Sequence, residues 1–193
     1  GIVFRLIPAG SFTMGSPKAE QDAMVAVSAD GAGADRSWKR PEREWVRLET
    51  EHQVTLSRPF YCGKYEVTQA QWELVMGNNP SHFKNAGKNA PVEDVSWHDC
   101  QAFVKRLCQM EGVPEGTYRL LTEAEWEYAA RGGLAGTRYP WGNAVSGLQA
   151  NYWNSGDPED NDTNAVGSYP PNGFGLYDMA GNVWEWMSDW YDP

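Results

Sequence analysis

Apolar and polar positions alternate near the start of the chain, take a helical period in its middle third, and lose all period over the last sixty residues. "VFRLIPAGSFTM" (3–14) predicts two short strands around the turn triplet Pro8-Ala9-Gly10. "HQVTLSRPFYCGKYEVT" predicts two more extended runs, 52–57 and 59–67. Between these pairs, "SADGAGAD" is small and flexible, and "WKRPEREWVRLETEH" is charged with interleaved Trp38 and Trp45. This segment, about 16–50, reads as an inserted loop: a solvated excursion, or in the sharper alternative a flap that binds a partner.

Three helices should follow, each opened by the same device. Thr68-x-x-Gln71, Ser96-x-x-Asp99 and Thr122-x-x-Glu125 are capping boxes or close variants, in which the hydroxyl accepts an orphan amide and the later side chain reaches back to the cap. The first helix is predicted from Gln69 to about Met76, turning Trp72, Val75 and Met76 inward and stopping before Gly77 and Pro80. The second, from Trp97 to about Gln109, carries an apolar stripe at 100, 103, 104, 107 and 108. The third runs from Glu123 to Arg131 and stops at Gly132-Gly133. Beyond Gly133, "YPWGN", "NYWNSGDPEDNDTN" and "SYPPNGFGLYDMAGN" are turn chemistry. So long an irregular run in a compact chain implies a functional or ligand-organised segment. No internal repeat is present.

Composition narrows the classes. The 193 residues suit a single domain, spanning 1–193, and 41% hydrophobic residues exclude disorder throughout. Ten Trp among twenty Gly and twelve Pro describe a loop-rich fold held by large flat side chains. A formal charge of −10 argues against a nucleic-acid surface and is compatible with cation binding. No run approaches a membrane span, and Gly1 does not open a signal peptide, so the cytoplasm is the favoured compartment. Cys62, Cys100 and Cys108 form no disulfide framework and read as buried structural thiols.

His52, His82 and His98 are isolated, and no HExxH, GxSxG, Walker loop or GxGxxG occurs, which removes the commonest hydrolase and nucleotide-binding readings. The acids are more suggestive. "DPEDNDTN" (157–164) offers hard oxygen ligands of the kind calcium prefers, but it lacks the Gly and Glu of an EF-hand, and on its own a solvated acidic turn is the favoured reading. In "DMAGNVWEW", Asp178 and Glu185 converge if Gly181 lets the chain fold back. The intervening carbonyls would then face a cation, with Trp184 and Trp186 packed on the core to hold the loop shut. The alternative is that both acids satisfy loop amides.

Six ordered blocks, "IPAGSFTMGS", "YEVTQAQWELVMGNNPSHF", "PVEDVSWHDCQAFVKRL", "YRLLTEAEWEYAARGG", "YPWGN" and "VGSYPPNGFGLYDMAGNVWEWMSDWY", closely resemble the formylglycine-generating enzyme, or sulfatase-modifying factor, family. The resemblance covers nearly the whole chain outside 16–50. It implies an α+β fold low in regular structure, a variant of the C-type lectin fold, whose closing C-terminal segment is absent from this chain. It also implies a calcium ion held by the Asp178 side chain, the Gly181 and Val183 carbonyls and the Glu185 side chain. A second calcium would sit on Asn151, the Tyr152 carbonyl and a downstream acid, for which Asp160 is chosen over Asp162. Family members use copper(I), held by two cysteines after an "RGGSW"-like run, to oxidise a cysteine of a client sulfatase to formylglycine. None of the three cysteines here matches that pair, so no catalytic residue is assigned. The resemblance thus implies an oxidase whose calcium-stabilised scaffold is this chain. The alternatives are a non-catalytic lectin-like domain binding a peptide, protein or other ligand, and a relative of the iron-dependent sulfoxide synthases.

Overall fold

The computed structural model describes residues 1–29, 49–155 and 162–190. Four strands form where the alternation predicted extended runs, and they pair antiparallel in two sheets. β1 (Phe4–Ile7) pairs with β4 (Phe60–Gly63), Phe4 opposite Gly63, and β2 (Gly10–Met14) pairs with β3 (His52–Leu56), Gly10 opposite Leu56. The last two extended runs are shorter than expected, since 57–59 carries a bend around Pro59 and Gly63 ends β4. Within the predicted 16–50 loop, Lys18–Ala29 forms a helix, α1, opened by Glu20 and Gln21 amides on the Pro17 carbonyl. Apolar residues there are too scattered to have announced it. Two compact units can be described, Gly1–Pro8 with Arg58–Trp190, and Ala9–Ser57. The second unit contains β2, α1 and β3, with Gln21 buried and donating to the Ser16 and Glu49 carbonyls.

In the larger unit, α2 (Gln69–Met76), α3 (Trp97–Glu111) and α4 (Glu123–Arg131) start at Thr68, Ser96 and Thr122, and all three capping boxes are closed on both sides. Each ends on a left-handed glycine: Gly77, Gly112 and Gly132. Trp72, Val75 and Phe103 are buried together, the Trp72 and Phe103 rings stacked with centroids 4.9 Å apart. Met76, Cys100, Val104 and Leu107 are packed more loosely around them. Cys108 is fully buried and accepts the Tyr118 amide on Sγ, in line with a structural thiol. Gln69, also buried, donates to the Phe83 and Pro91 carbonyls and accepts from Asn79, which folds the 77–91 loop onto the start of α2.

The inner faces of α2 and α3 do not close on the β1–β4 sheet. They leave a cavity of about 630 Å³ lined by Trp72, Phe103, Val104 and Leu107, by Phe4 and Phe60–Gly63, and along one lip by 183–187. The tail that forms this lip is tied to two helix starts. Trp186 Nε1 donates to the Val95 carbonyl and Trp97 Nε1 to that of Met187, beside the start of α3. Asp189 accepts the Glu123 amide at 2.9 Å and the Ser188 amide meets the Leu121 carbonyl, at the start of α4. The aromatic tail is therefore irregular because its backbone partners are the unsatisfied ends of other elements.

Candidate metal centre

Asparagine side chains, rather than a sheet, fix the loops that follow α4. Asn172 Nδ2 donates to the last carbonyls of α4, Ala129 (2.7 Å) and Ala130 (3.1 Å), while its Oδ1 accepts the Phe174 and Leu176 amides. That places fully buried Leu176 beneath the loop and delivers the chain to Asp178. Asp178 is 9% exposed, adopts a left-handed φ of 56°, and accepts the Gly167 amide at 2.6 Å. Burial pushes its carboxyl above the usual carboxylate range, opposed by the Gly167 amide. Gly181 has φ 89°, and a Cβ there would run into the Asn151 carbonyl, so the reversal that folds 178–185 back requires glycine.

Asn182 (φ 61°) joins four segments. Its amide donates to the Asn151 carbonyl, its Oδ1 accepts from the Asn164 amide, and its Nδ2 donates to Glu66 Oε2 at 2.7 Å. Neither Asn182 nor Glu66 figured among the candidate residues. The signal was present in "AGN", since asparagine after glycine tolerates left-handed backbone, and in an acid, Glu66, next to the buried Thr68-Gln69 helix start.

Three carboxyls thereby share one neighbourhood. Glu66 is held well above the ordinary range, first by burial, then by repulsion from Glu185 and Asp178, and partly relieved by Asn182 and the Val183 amide. Its Oε1 is buried with no hydrogen-bond partner among the described residues. Glu185 as a whole residue is exposed, yet protein crowds round its carboxyl and lifts it to about 7; the nearby Trp126 indole acts in the opposite direction and Asp178 adds to the rise. Solvent reaching the open side of Glu185 moderates that rise. None of the described ion pairs supplies these acids with a cationic side chain. Crowded, mutually repelling hard oxygens beside a backbone reversal suit a divalent cation. No three His, Cys, Asp or Glu side chains among the described residues converge closely enough to hold an ion alone, so backbone carbonyls would have to complete any ligand set.

The loop 178–185 is neither helical nor extended, and its tryptophans behave differently from expectation. Trp184 is 98% exposed instead of packed on the core, because the left-handed steps at 181 and 182 turn Val183 inward to the cavity and leave the next side chain at its outer rim. Trp186 is half-exposed and anchored by its N–H alone. For the second predicted ion, Asn151 is buried with Nδ2 on the Asp162 carbonyl, and the Tyr152 carbonyl accepts the Ser155 amide. Asp160 lies outside the described residues. Thr163 Oγ1, next to this loop, is buried without a partner among the described residues. Cys62 and Cys100 do not suit a copper(I) pair, which needs thiolates: burial, with the acids nearby, pushes Cys62 up to about 12 and Cys100 up to about 11.

Residues 4–193 match the model of the sulfatase-modifying factor enzyme 1-like domain, and the chain belongs to that family. It is 39% identical over 150 residues to formylglycine-generating enzyme of Mus musculus, covering 72% of this chain and 37% of the mouse protein. It is 42% identical over 111 residues to the mouse inactive C-alpha-formylglycine-generating enzyme 2, covering 53% of this chain and 33% of that protein. The solved structure of PvdO from Pseudomonas aeruginosa is similar over 98% of this chain and 71% of its own, with TM-score 0.70 and 29% identity. The chain thus spans about a third of the mouse relatives' length, and its α+β architecture, low in regular structure, is that of the family. No helix among the described residues is long and apolar enough to cross a membrane.

Proposed function

We propose that this chain is the calcium-stabilised scaffold of an oxidase that converts a cysteine of a client protein, a sulfatase by analogy with the relatives, to formylglycine. The observation that carries the reading is the acid group Glu66, Asp178 and Glu185 gathered on the Gly181–Asn182 reversal inside a family-matched domain. Asp178 and Glu185, with the Gly181 and Val183 carbonyls, would hold the ion, and Glu66 would face it. When bound, calcium would supply positive charge to a buried anionic loop and so fix its shape, with no part in electron transfer. This chain's own residues act by position: Asn182 holds Glu66 against the reversal, and Asn172 fixes the loop to α4. A second ion on Asn151, Tyr152 and Asp160 belongs to the same proposal, with the Asp162–Thr163 turn closing that loop.

The redox chemistry would use copper on a cysteine pair outside residues 1–193, since burial raises the Cys62 and Cys100 thiols and Cys108 is fully buried. The test is incubation with a Cys-x-Pro-x-Arg peptide, copper and oxygen, followed by mass spectrometry. The full-length protein should convert thiol to aldehyde and residues 1–193 should not. Conversion by residues 1–193 alone would refute the assignment, and no conversion by either would favour a ligand-binding role. The mouse relative named as inactive gives that second reading its support.

A further inference from the structure

The chain contains a single Asn-Gly pair, Asn172-Gly173, and it stands at the junction that fixes the loops to α4. Asparagine is a thermolabile side chain. A following glycine shields it least, because without a Cβ the glycine nitrogen approaches the asparagine Cγ freely. Packing nevertheless imposes both members of the pair. A Cβ at Gly173 would run into the Gly132 carbonyl, and one at Gly132 into the Gly173 nitrogen, so α4 and the loop meet glycine to glycine. At 172, Nδ2 serves the Ala129 and Ala130 carbonyls while Oδ1 serves the Phe174 and Leu176 amides. Asparagine alone offers those donors and that acceptor on so short a side chain.

The same bonds hold the pair unreactive. In the reaction, the Gly173 nitrogen gives its proton to water and bonds to Asn172 Cγ, and Nδ2 departs as ammonia to leave a cyclic imide. For this, Cγ must become tetrahedral and Nδ2 must leave two carbonyl acceptors at 2.7 and 3.1 Å. The Asn172 amide and carbonyl are tied as well, to the Leu176 carbonyl and the Gly175 amide. Gly173 itself is exposed, so restraint protects the pair, not exclusion of water. Water then opens the imide at either carbonyl, giving aspartate or isoaspartate. Neither product fits the junction. A carboxylate only accepts, so the oxygen in place of Nδ2 would face two carbonyl oxygens. It would also put negative charge at the C-terminal end of α4, where the helix dipole is already negative. We propose that Asn172-Gly173 is a self-modification site gated by the closed loop. Conversion of its amide to an acid proceeds only when 172–176 opens, and the product bars reclosure onto α4. A lasting opening of the loops is thereby recorded covalently. The proposal is independent of the metal and of the oxidase reading.

The experiment ages the full-length protein in mildly alkaline buffer, one portion native and one in guanidinium chloride. Digestion, chromatography and mass spectrometry then separate asparagine, aspartate and isoaspartate at position 172. Conversion should be at least about tenfold slower in the native portion, because its hydrogen bonds must open first. The denatured portion is next returned to native buffer, and its soluble, refolded fraction should be depleted in modified chains. Asn172→Asp, prepared without ageing, supplies a second measurement: its melting temperature should lie several degrees below that of the wild type. Equal rates in the two portions, no conversion at 172 in denatured protein, modified chains that refold as well as unmodified ones, or an unchanged melt of Asn172→Asp would each overturn the proposal.

Discussion

The helical stretch 68–131 and the loops 133–190 belong to one compact unit but are specified in different ways. Each helix carries its own start and stop: a hydroxyl and an acid or amide three residues apart, and a terminal glycine in the left-handed region. These partners lie within a turn of one another, so the boundaries follow from sequence alone. In the loops the partners are distant. Asn172 holds carbonyls 42 and 43 residues away, and Asn182 reaches Glu66 across 116 positions. A helix here loses one cap when one residue changes, whereas the loop region loses a junction between segments.

That contrast orders the expected effects of breaking it. Asn172→Ala removes four hydrogen bonds and leaves the Ala129 and Ala130 carbonyls at the end of α4 without their side-chain donor; we expect a loss of about 3 kcal/mol in chemical denaturation. A loss below about 1 kcal/mol would show that the loops hold without their asparagine junctions. Next comes the cation. Calcium at about a hundred times its dissociation constant should stabilise by about 2.7 kcal/mol, and exhaustive chelation should remove that gain in a thermal melt. The acids add a sign. Glu66, Asp178 and Glu185 bind protons more tightly when folded, so the unfolded state carries fewer protons above the ordinary carboxylate range. Metal-free stability should therefore fall as pH rises from about 5 through the Glu185 value of about 7, with most of the favourable contribution present only below that window. Calcium should flatten the decline, and a chelated protein whose melting temperature rises over that interval would contradict the arrangement. The smallest effect is Thr122→Ala, which removes one cap of α4 and should cost about 1 kcal/mol.

The same contrast explains what was legible beforehand. The three helices, their caps and the four strands followed from local patterns, whereas the pairing of β1 with β4 and β2 with β3 did not. Asp178 and Gly181 could be singled out because an acid and a reversal lay close together in one irregular run. Glu66 was missed because its neighbours in space lie over a hundred residues away, and no local rule connects them. Trp184 was placed inside because tryptophan is mostly buried; two left-handed residues before it, invisible to composition, turned it outward. Helix α1 was missed because its sequence lacks the stripe that marks a helix against a core.

Trp184 has a practical consequence. A fully hydrated indole emits at longer wavelength than its packed counterparts and is reached first by a collisional quencher such as iodide. Standing one residue from Glu185 at the rim of the cavity, it is an intrinsic optical probe of that rim. A blue shift of its emission, or loss of its quenching, would signal contact there before any assay of chemistry had been devised.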